Sequence, residues 1–181
     1  MAGTVHHAKF DRLFDILDVT GDGYLTQEDF DAIVHQVVSA PHGSPEGPRA
    51  QALRDAATRF WTGIGEHAEV DEVGRVSREA FRAALDEAFL RVGRFDELLD
   101  PAAEAWFALY DTDEDGRVSH REYELFHQSL GRPAAGVDAG FRTIDVDGDG
   151  YLTLDEFRAI VHQYYTSDDP DAPGNWLFGA I

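Results

Sequence analysis

The sequence predicts an all-α protein built from four helix–loop–helix units, and three observations carry that reading. The chain repeats itself: YLTQEDFDAIVHQVV from Tyr24 returns as YLTLDEFRAIVHQYY from Tyr151, and GRVSREAF from Gly74 is echoed by GRVSHREYELF from Gly116. Repeats of this kind are supersecondary units that bury their apolar faces on one another. The apolar residues in and around these segments recur at i, i+3, i+4 and i+7, the spacing of one helix face. Between successive helical patterns lies a short run of glycine and aspartate, residues that favour turns.

Taken in order, Phe10, Leu13, Phe14 and Leu17 mark the lead-in helix of the first unit, and Phe30, Ile33, Val34, Val37 and Val38 mark its exit helix. The segment PHGSPEGP, Pro41 to Pro48, is punctuation before the second unit. The middle connection RVGRFDELLDP is apolar enough to be partly helical. Asp100 followed by Pro101 is a good helix start, and Trp106, Phe107 and Tyr110 give the third lead-in helix its core face. Gly131 to Pro133 separates the third and fourth units, and Phe157, Ile160, Val161, Tyr164 and Tyr165 form the last apolar stripe. The tail DDPDAPGNWLFGAI ends in Trp176, Leu177 and Phe178 after a set of turn residues, so it is expected to fold back on the core. One compact domain over 1–181 is expected, with a first pair of units in 1–92 and a second in 93–181.

Composition narrows the function. The 181 residues include 35 acidic and 15 basic side chains, a formal net charge of -20. Nucleic acid and anionic lipid both require a basic surface, so neither is an expected partner. At 43% hydrophobic and 12% aromatic, the chain is rich enough in core formers to pack. It has no cysteine, which excludes disulfides and thiolate chemistry together. No run approaches a membrane span, and MAGTVHHAKF lacks a basic start followed by an apolar stretch. A cytoplasmic monomer is the expectation.

The acid has a specific placement. A twelve-residue loop D-x-[DN]-x-[DN]-G-x5-E supplies the six to eight oxygens that calcium takes, with glycine at the sharp turn and a bidentate glutamate closing the shell. The third unit reads DTDEDGRVSHRE and satisfies every position. Its ligands would be Asp111, Asp113, Asp115, the carbonyl of Arg117, Ser119 through water, and Glu122. The fourth reads DVDGDGYLTLDE, with Asp145, Asp147, Asp149, the carbonyl of Tyr151, Thr153 through water, and Glu156. The two loops begin 34 residues apart, which suits consecutive units.

The first loop, DVTGDGYLTQED, keeps Asp18, Asp22, the carbonyl of Tyr24 and Thr26, but has Thr20 at position 3 and Asp29 at position 12. Aspartate is one methylene short of glutamate, so the site leans toward six-coordination, which the smaller magnesium ion prefers. Binding here is expected to be weaker or less selective for calcium. The second loop, EVDEVGRVSREA, has Val73 at position 5 and Ala80 at position 12. It lacks its closing carboxylate and is expected to hold no ion, pairing with its neighbour through Val76 instead. The predicted ladders are Leu25 with Val76, and Val118 with Leu152.

With these residues in place, the chain resembles the EF-hand superfamily over nearly its whole length. Hands 1, 3 and 4 intact with hand 2 degenerate resembles the four-hand sarcoplasmic calcium-binding proteins and their bacterial calerythrin-like relatives. The short tail is similar to that group and to the coelenterazine photoproteins. The resemblance implies a compact domain of two paired EF-hand halves.

Other residues carry less. His35 and His162 occupy matching places beside the apolar stripes and are expected on solvated faces; His6 and His7 point in different directions; His120 lies at a non-ligand loop position. No zinc spacing and no catalytic motif is present. Trp61, Trp106 and Trp176 are expected in an aromatic core, although photoproteins line a ligand cavity with such residues. Sensors of the calmodulin kind use Met-rich grooves, and this chain has one Met, Met1. The function expected is a calcium buffer holding three ions, against a calcium sensor exposing an apolar surface or a carrier of an apolar small molecule.

Overall fold

A computed structural model describes residues 4–39, 46–129 and 136–178. Eight α-helices follow one another among them: α1 Thr4–Leu17, α2 Gln27–Val38, α3 Pro48–Gly65, α4 Arg78–Leu85, α5 Asp100–Tyr110, α6 His120–Ser129, α7 Val137–Ile144 and α8 Leu154–Thr166. Four short strands lie in the loops between helix pairs: β1 Tyr24–Leu25, β2 Val76–Ser77, β3 Arg117–Ser119 and β4 Tyr151–Thr153. The fold is therefore all-α, as expected. Most of the punctuation segments, 40–45 and 130–135, lie outside the described residues.

The strands pair as the apolar loop positions predict. β1 lies antiparallel to β2 with Leu25 opposite Val76, and β3 antiparallel to β4 with Val118 opposite Leu152. All four of these side chains are buried. Each ladder ties two loops back to back and sets the start of the following helices. Thr26 and Thr153 cap α2 and α8, each closing a reciprocal capping box with Asp29 and Glu156 respectively, and Ser77 caps α4. The last residues of each loop are thus the first turn of a helix.

Between α4 and α5 the chain winds through two π-helical stretches, Asp86–Val92 and Phe95–Leu99, separated by left-handed Gly93 at φ 73°. The middle connection is helical, as its apolar content suggests. Asp100 opens α5 but does not cap it: the preceding turn is already helical, and no side-chain cap bond forms there. Pro101 is tolerated because the first turn of a helix has no partner for its missing N–H.

All the buried apolar residues but Ala172 form one continuous cluster. Phe30 lies 6.3 Å from Phe60, and Phe60 reaches Tyr165 of the last helix at 6.5 Å, ring centre to ring centre. Phe89 lies 4.9 Å from Tyr165, joining the middle connection to α8. Helix α5 packs on both α3 and α8. The tail folds back as expected as far as Phe178; residues 179–181 lie outside the described residues. A 3-10 turn at Pro173–Trp176 sits on α8, Leu177 is buried, and Arg12 of α1 donates to the carbonyl of Phe178 at 2.7 Å. Lys9, wholly buried, donates from Nζ to the carbonyls of Gln163 at 3.3 Å and Ser167 at 2.5 Å, closing the C-terminus of α8. Tyr164 donates to the carbonyl of Lys9 in return.

Candidate metal centres

Each intact loop is organised by its first aspartate, which begins where the lead-in helix ends. In the third loop Asp111 accepts N–H bonds from Asp115 at 3.1 Å and Gly116 at 3.0 Å. Asp113 accepts from Asp115 at 3.2 Å, and Asp115 from Arg117 at 2.8 Å. The backbone wraps around the carboxylates and turns at Gly116, whose φ of 84° is a left-handed value that side chains rarely adopt. As a result Asp111, Asp113 and Asp115 bring one oxygen each within 4.8 Å of one another.

Glu122 closes the same loop from its far end. One carboxylate oxygen accepts from the N–H and hydroxyl of Thr112 at 2.8 and 2.9 Å, the other from the N–H and hydroxyl of Ser119 at 2.9 and 2.8 Å. Burial disfavours its charge, but these four donors outweigh burial and hold the carboxyl below the usual range. The side chain spans the loop from position 2 to position 9.

The fourth loop repeats the plan. Asp145 accepts from Gly148 and Gly150, both at 3.0 Å; Asp147 accepts from Asp149 at 3.1 Å; Asp149 accepts from Tyr151 at 2.9 Å. Asp145, Asp147 and Asp149 form the second convergent triad. Glu156 accepts from the N–H and hydroxyl of Thr153 at 2.9 and 2.8 Å.

In the first loop Asp18 accepts from Gly21, Asp22 and Gly23 at 2.8, 3.2 and 2.9 Å, and Asp22 from Tyr24 at 2.9 Å. Thr20 turns its hydroxyl to Asp18 at 3.3 Å. Asp29, 1% exposed, accepts from the N–H of Thr20 at 3.2 Å and from the N–H and hydroxyl of Thr26 at 3.0 and 2.7 Å. Burial opposes its charge, and the Thr26 and Thr20 donors overcome it, so its carboxyl sits below the ordinary value. The shorter side chain thus faces position 3, where Glu122 reaches position 2. Among the described residues, no acidic triad forms in this loop.

The second loop is built differently. Its organiser is Asp71, at position 3, which accepts from the N–H groups of Val73 and Arg75 at 3.0 and 2.9 Å and from Nε of Arg75 at 2.8 Å. Glu69, Val70 and Val73 are exposed.

Two convergent sets of hard anionic oxygens, held by backbone N–H groups in glycine-hinged loops, suit an oxygen-seeking divalent cation such as calcium. His120 pairs with Asp138 at 3.2 Å, away from the ligand cluster of its loop. The model of an EF-hand domain pair matches residues 8–126, and that of a single EF hand matches 136–164.

The chain belongs to the EF-hand family.

Calerythrin of Saccharopolyspora erythraea is 23% identical over 91% of this EF-hand chain and 94% of its own length. Luciferin-binding protein of Renilla reniformis is 27% identical over 91% and 88%. Among solved structures, a Streptomyces coelicolor calcium-binding protein studied for prokaryotic calcium-mediated regulation superposes with a TM-score of 0.74, at 25% identity, covering 89% of this chain and 98% of that one. Calcium binding is the property that membership of the EF-hand family and the two acidic triads support for this chain.

Three features of the site region escape the sequence reading. Thr112 is a loop residue with no ligand role, yet it anchors Glu122. Arg75 takes up the carboxylate of the degenerate hand. A cavity of about 130 Å³ opens in the core, lined by Leu13, Phe30, Leu53, Trp106, Phe126 and Tyr165 among others. Tyr110 and His127, 3.4 Å apart, stand on its wall. The aromatic core is therefore not filled throughout. His35 and His162 are exposed as expected, although the His162 ring rests 4.2 Å from that of Phe95. His6 is buried, within 3.5 Å of Asp168.

Proposed function

We propose that this EF-hand protein is a calcium buffer, non-catalytic, cytoplasmic and monomeric, that holds three calcium ions in hands 1, 3 and 4. The ligands would be Asp18, Thr20, Asp22, Tyr24, Thr26 and Asp29 in the first hand; Asp111, Asp113, Asp115, Arg117, Ser119 and Glu122 in the third; and Asp145, Asp147, Asp149, Tyr151, Thr153 and Glu156 in the fourth. Magnesium competes in the first hand. Hands 1 and 2 pair within 1–92, hands 3 and 4 within 93–181.

One observation supports a buffer over a sensor: the apolar stripes of the lead-in and exit helices belong to a single buried cluster that spans both pairs, through Phe60, Phe89 and Tyr165. A sensor opens a methionine-lined groove on calcium binding, and the stripes here are spent on one another. Calorimetric calcium titration with a hydrophobic dye in parallel tests the reading. Heat for three ions without a rise in dye signal is expected; a large calcium-dependent rise makes the protein a sensor.

The cavity supports a second reading, a carrier of an apolar small molecule. Its volume is close to that of an engineered apolar cavity of about 150 Å³ that accepts benzene. It suits one aromatic ring, and a polycyclic ligand requires the core to expand. Binding of benzene-sized probes that quenches tryptophan fluorescence would support the carrier; no quenching at saturation would remove it.

A further inference from the structure

We infer that Arg75 is the built-in cation of the second hand, so that this hand keeps its shape without calcium and holds the first hand's strand in register. The inference rests on reading the second hand as ion-free.

The geometry is specific to this loop. Position 1, the organiser of the other three hands, is Glu69 here and is exposed. Asp71 replaces it, gathering the N–H groups of Val73 and Arg75. To these two backbone donors the Arg75 guanidinium adds a charge-assisted bond through Nε at 2.8 Å. The turn is further closed by the N–H of Gly74 on the carbonyl of Asp71, the N–H of Asp71 on the carbonyl of Arg75, and an antiparallel bridge between Val70 and Val76.

The same guanidinium reaches the neighbouring hand. Its carbon lies 4.1 Å from the ring centre of Tyr24, whose backbone pairs with Ser77 and whose carbonyl is a proposed ligand of the first hand. The third and fourth hands show what is common and what is not. Arg117, also at position 7, stacks on Tyr151 of its partner loop at 4.4 Å. Its nearest carboxylate is Asp115 at 3.7 Å, a position 5 residue and proposed ligand. In the second hand position 5 is Val73, which has no charge to offer. The arginine turns to Asp71 instead, and the stack on Tyr24 is kept. The stack is shared by both pairs; the internal ion pair is what replaces the ion.

Without calcium the second loop should then behave differently from the third and fourth. The fourth loop has no arginine at position 7 and the third has only the 3.7 Å approach of Arg117 to Asp115, whereas in the second Arg75 is bonded to Asp71 at 2.8 Å. Amide hydrogen exchange on the full chain, with calcium and with chelator, separates the cases. Chelation should speed exchange at Gly116 and Gly150 at least tenfold, yet leave Val73, Gly74 and Arg75 within about twofold. In calcium-free Arg75→Ala these three amides should exchange about two- to fivefold faster, the span of a partly exposed ion pair. Arg75→Lys, which keeps the charge, should restore most of the protection.

Unchanged exchange in Arg75→Ala overturns the role of Arg75. So does acceleration of the second loop on chelation of the wild-type chain as large as that at Gly116 and Gly150. Native mass spectrometry of the same samples isolates the underlying reading: a fourth specific calcium ion shows that the second hand is not ion-free, whatever Arg75 does.

Discussion

Glu114 shows how one backbone angle separates otherwise similar hands. It stands at φ 64°, where the first and fourth loops place Gly21 and Gly148 at 70° and 72°. An L side chain in this region costs about 1–2 kcal/mol, part of which glycine forfeits through its greater freedom when unfolded. Glu114 also pairs with Arg49 at 2.9 Å, but at 76% exposure that pair contributes little. Glu114→Gly in an Arg49→Ala background should therefore stabilise the protein by about 0.5–1 kcal/mol, read by urea denaturation. Closing carboxylates make the second residue-scale prediction. Glu122→Gln and Glu156→Gln each lose one anionic oxygen, so each should remove one ion from the calorimetric stoichiometry and leave the other hands binding. Asp29→Glu should raise the calcium-to-magnesium preference of the first hand, because a longer side chain reaches across the loop as Glu122 does. An unchanged preference would show that position 12 does not set it.

At the scale of elements, the ladders and the tail are decided by close approach. Gly174 lies so near α8 that a Cβ there would sit 2.6 Å from Cβ of Gln163 and 2.8 Å from both the Ile160 carbonyl oxygen and the Tyr164 nitrogen. Two of these are backbone atoms that cannot swing away. Gly174→Ala should lift the 3-10 turn off α8 and destabilise the fold by about 1–3 kcal/mol, the usual cost of overpacking. The melting temperature should fall while the calcium stoichiometry stays the same. Gly63 is a milder case, because the atoms it would meet belong to the flexible end of Leu98.

The whole molecule is governed by charge. Its three proposed calcium loops hold 14 of the 35 acidic residues, and folding crowds them against mutual repulsion. An ion that binds the folded form alone stabilises it by about 4 kcal/mol per site at a thousandfold excess over the dissociation constant. A chelator should therefore lower the melting temperature sharply and weaken the near-ultraviolet circular dichroism of the tryptophans. An apo form with the same signal and melting point would show the hands to be passive. Lys9 adds a pH dependence of the opposite kind to a surface lysine. Burial, only partly offset by Asp168, lowers its pKa to about 8 from the ordinary 10.5. Between those values the unfolded chain binds more protons than the folded one, so this group's contribution to stability rises with pH. Below about 8 the full penalty of a buried charge is present; above 10.5 it is gone. The stability difference between wild type and Lys9→Met should move in favour of wild type from pH 8 to 10.5. A flat difference would mean that Lys9 titrates as if in water.

Much of this protein is legible in its residues. The repeat and the helical spacing of Phe10, Leu13, Phe14 and Phe157, Ile160, Val161 follow from which residues can be buried together, and that is a property of pattern. The carboxylate spacing of the third and fourth loops is equally local: twelve consecutive residues contain both the ligands and the turn that aims them. Even the register of Leu25 with Val76 follows from one apolar position per loop. The rest depends on residues far apart in the chain. The reach of Arg75 to Tyr24, the clasp of Lys9 on the end of α8, the close seat of Gly174 and the hollow beside Trp106 are set by how helices come to rest against one another. Sequence determined the hands because their chemistry is contained within each loop; tertiary structure alone decided the counter-charge, the clasp and the cavity, because packing distances arise between segments that no local pattern relates.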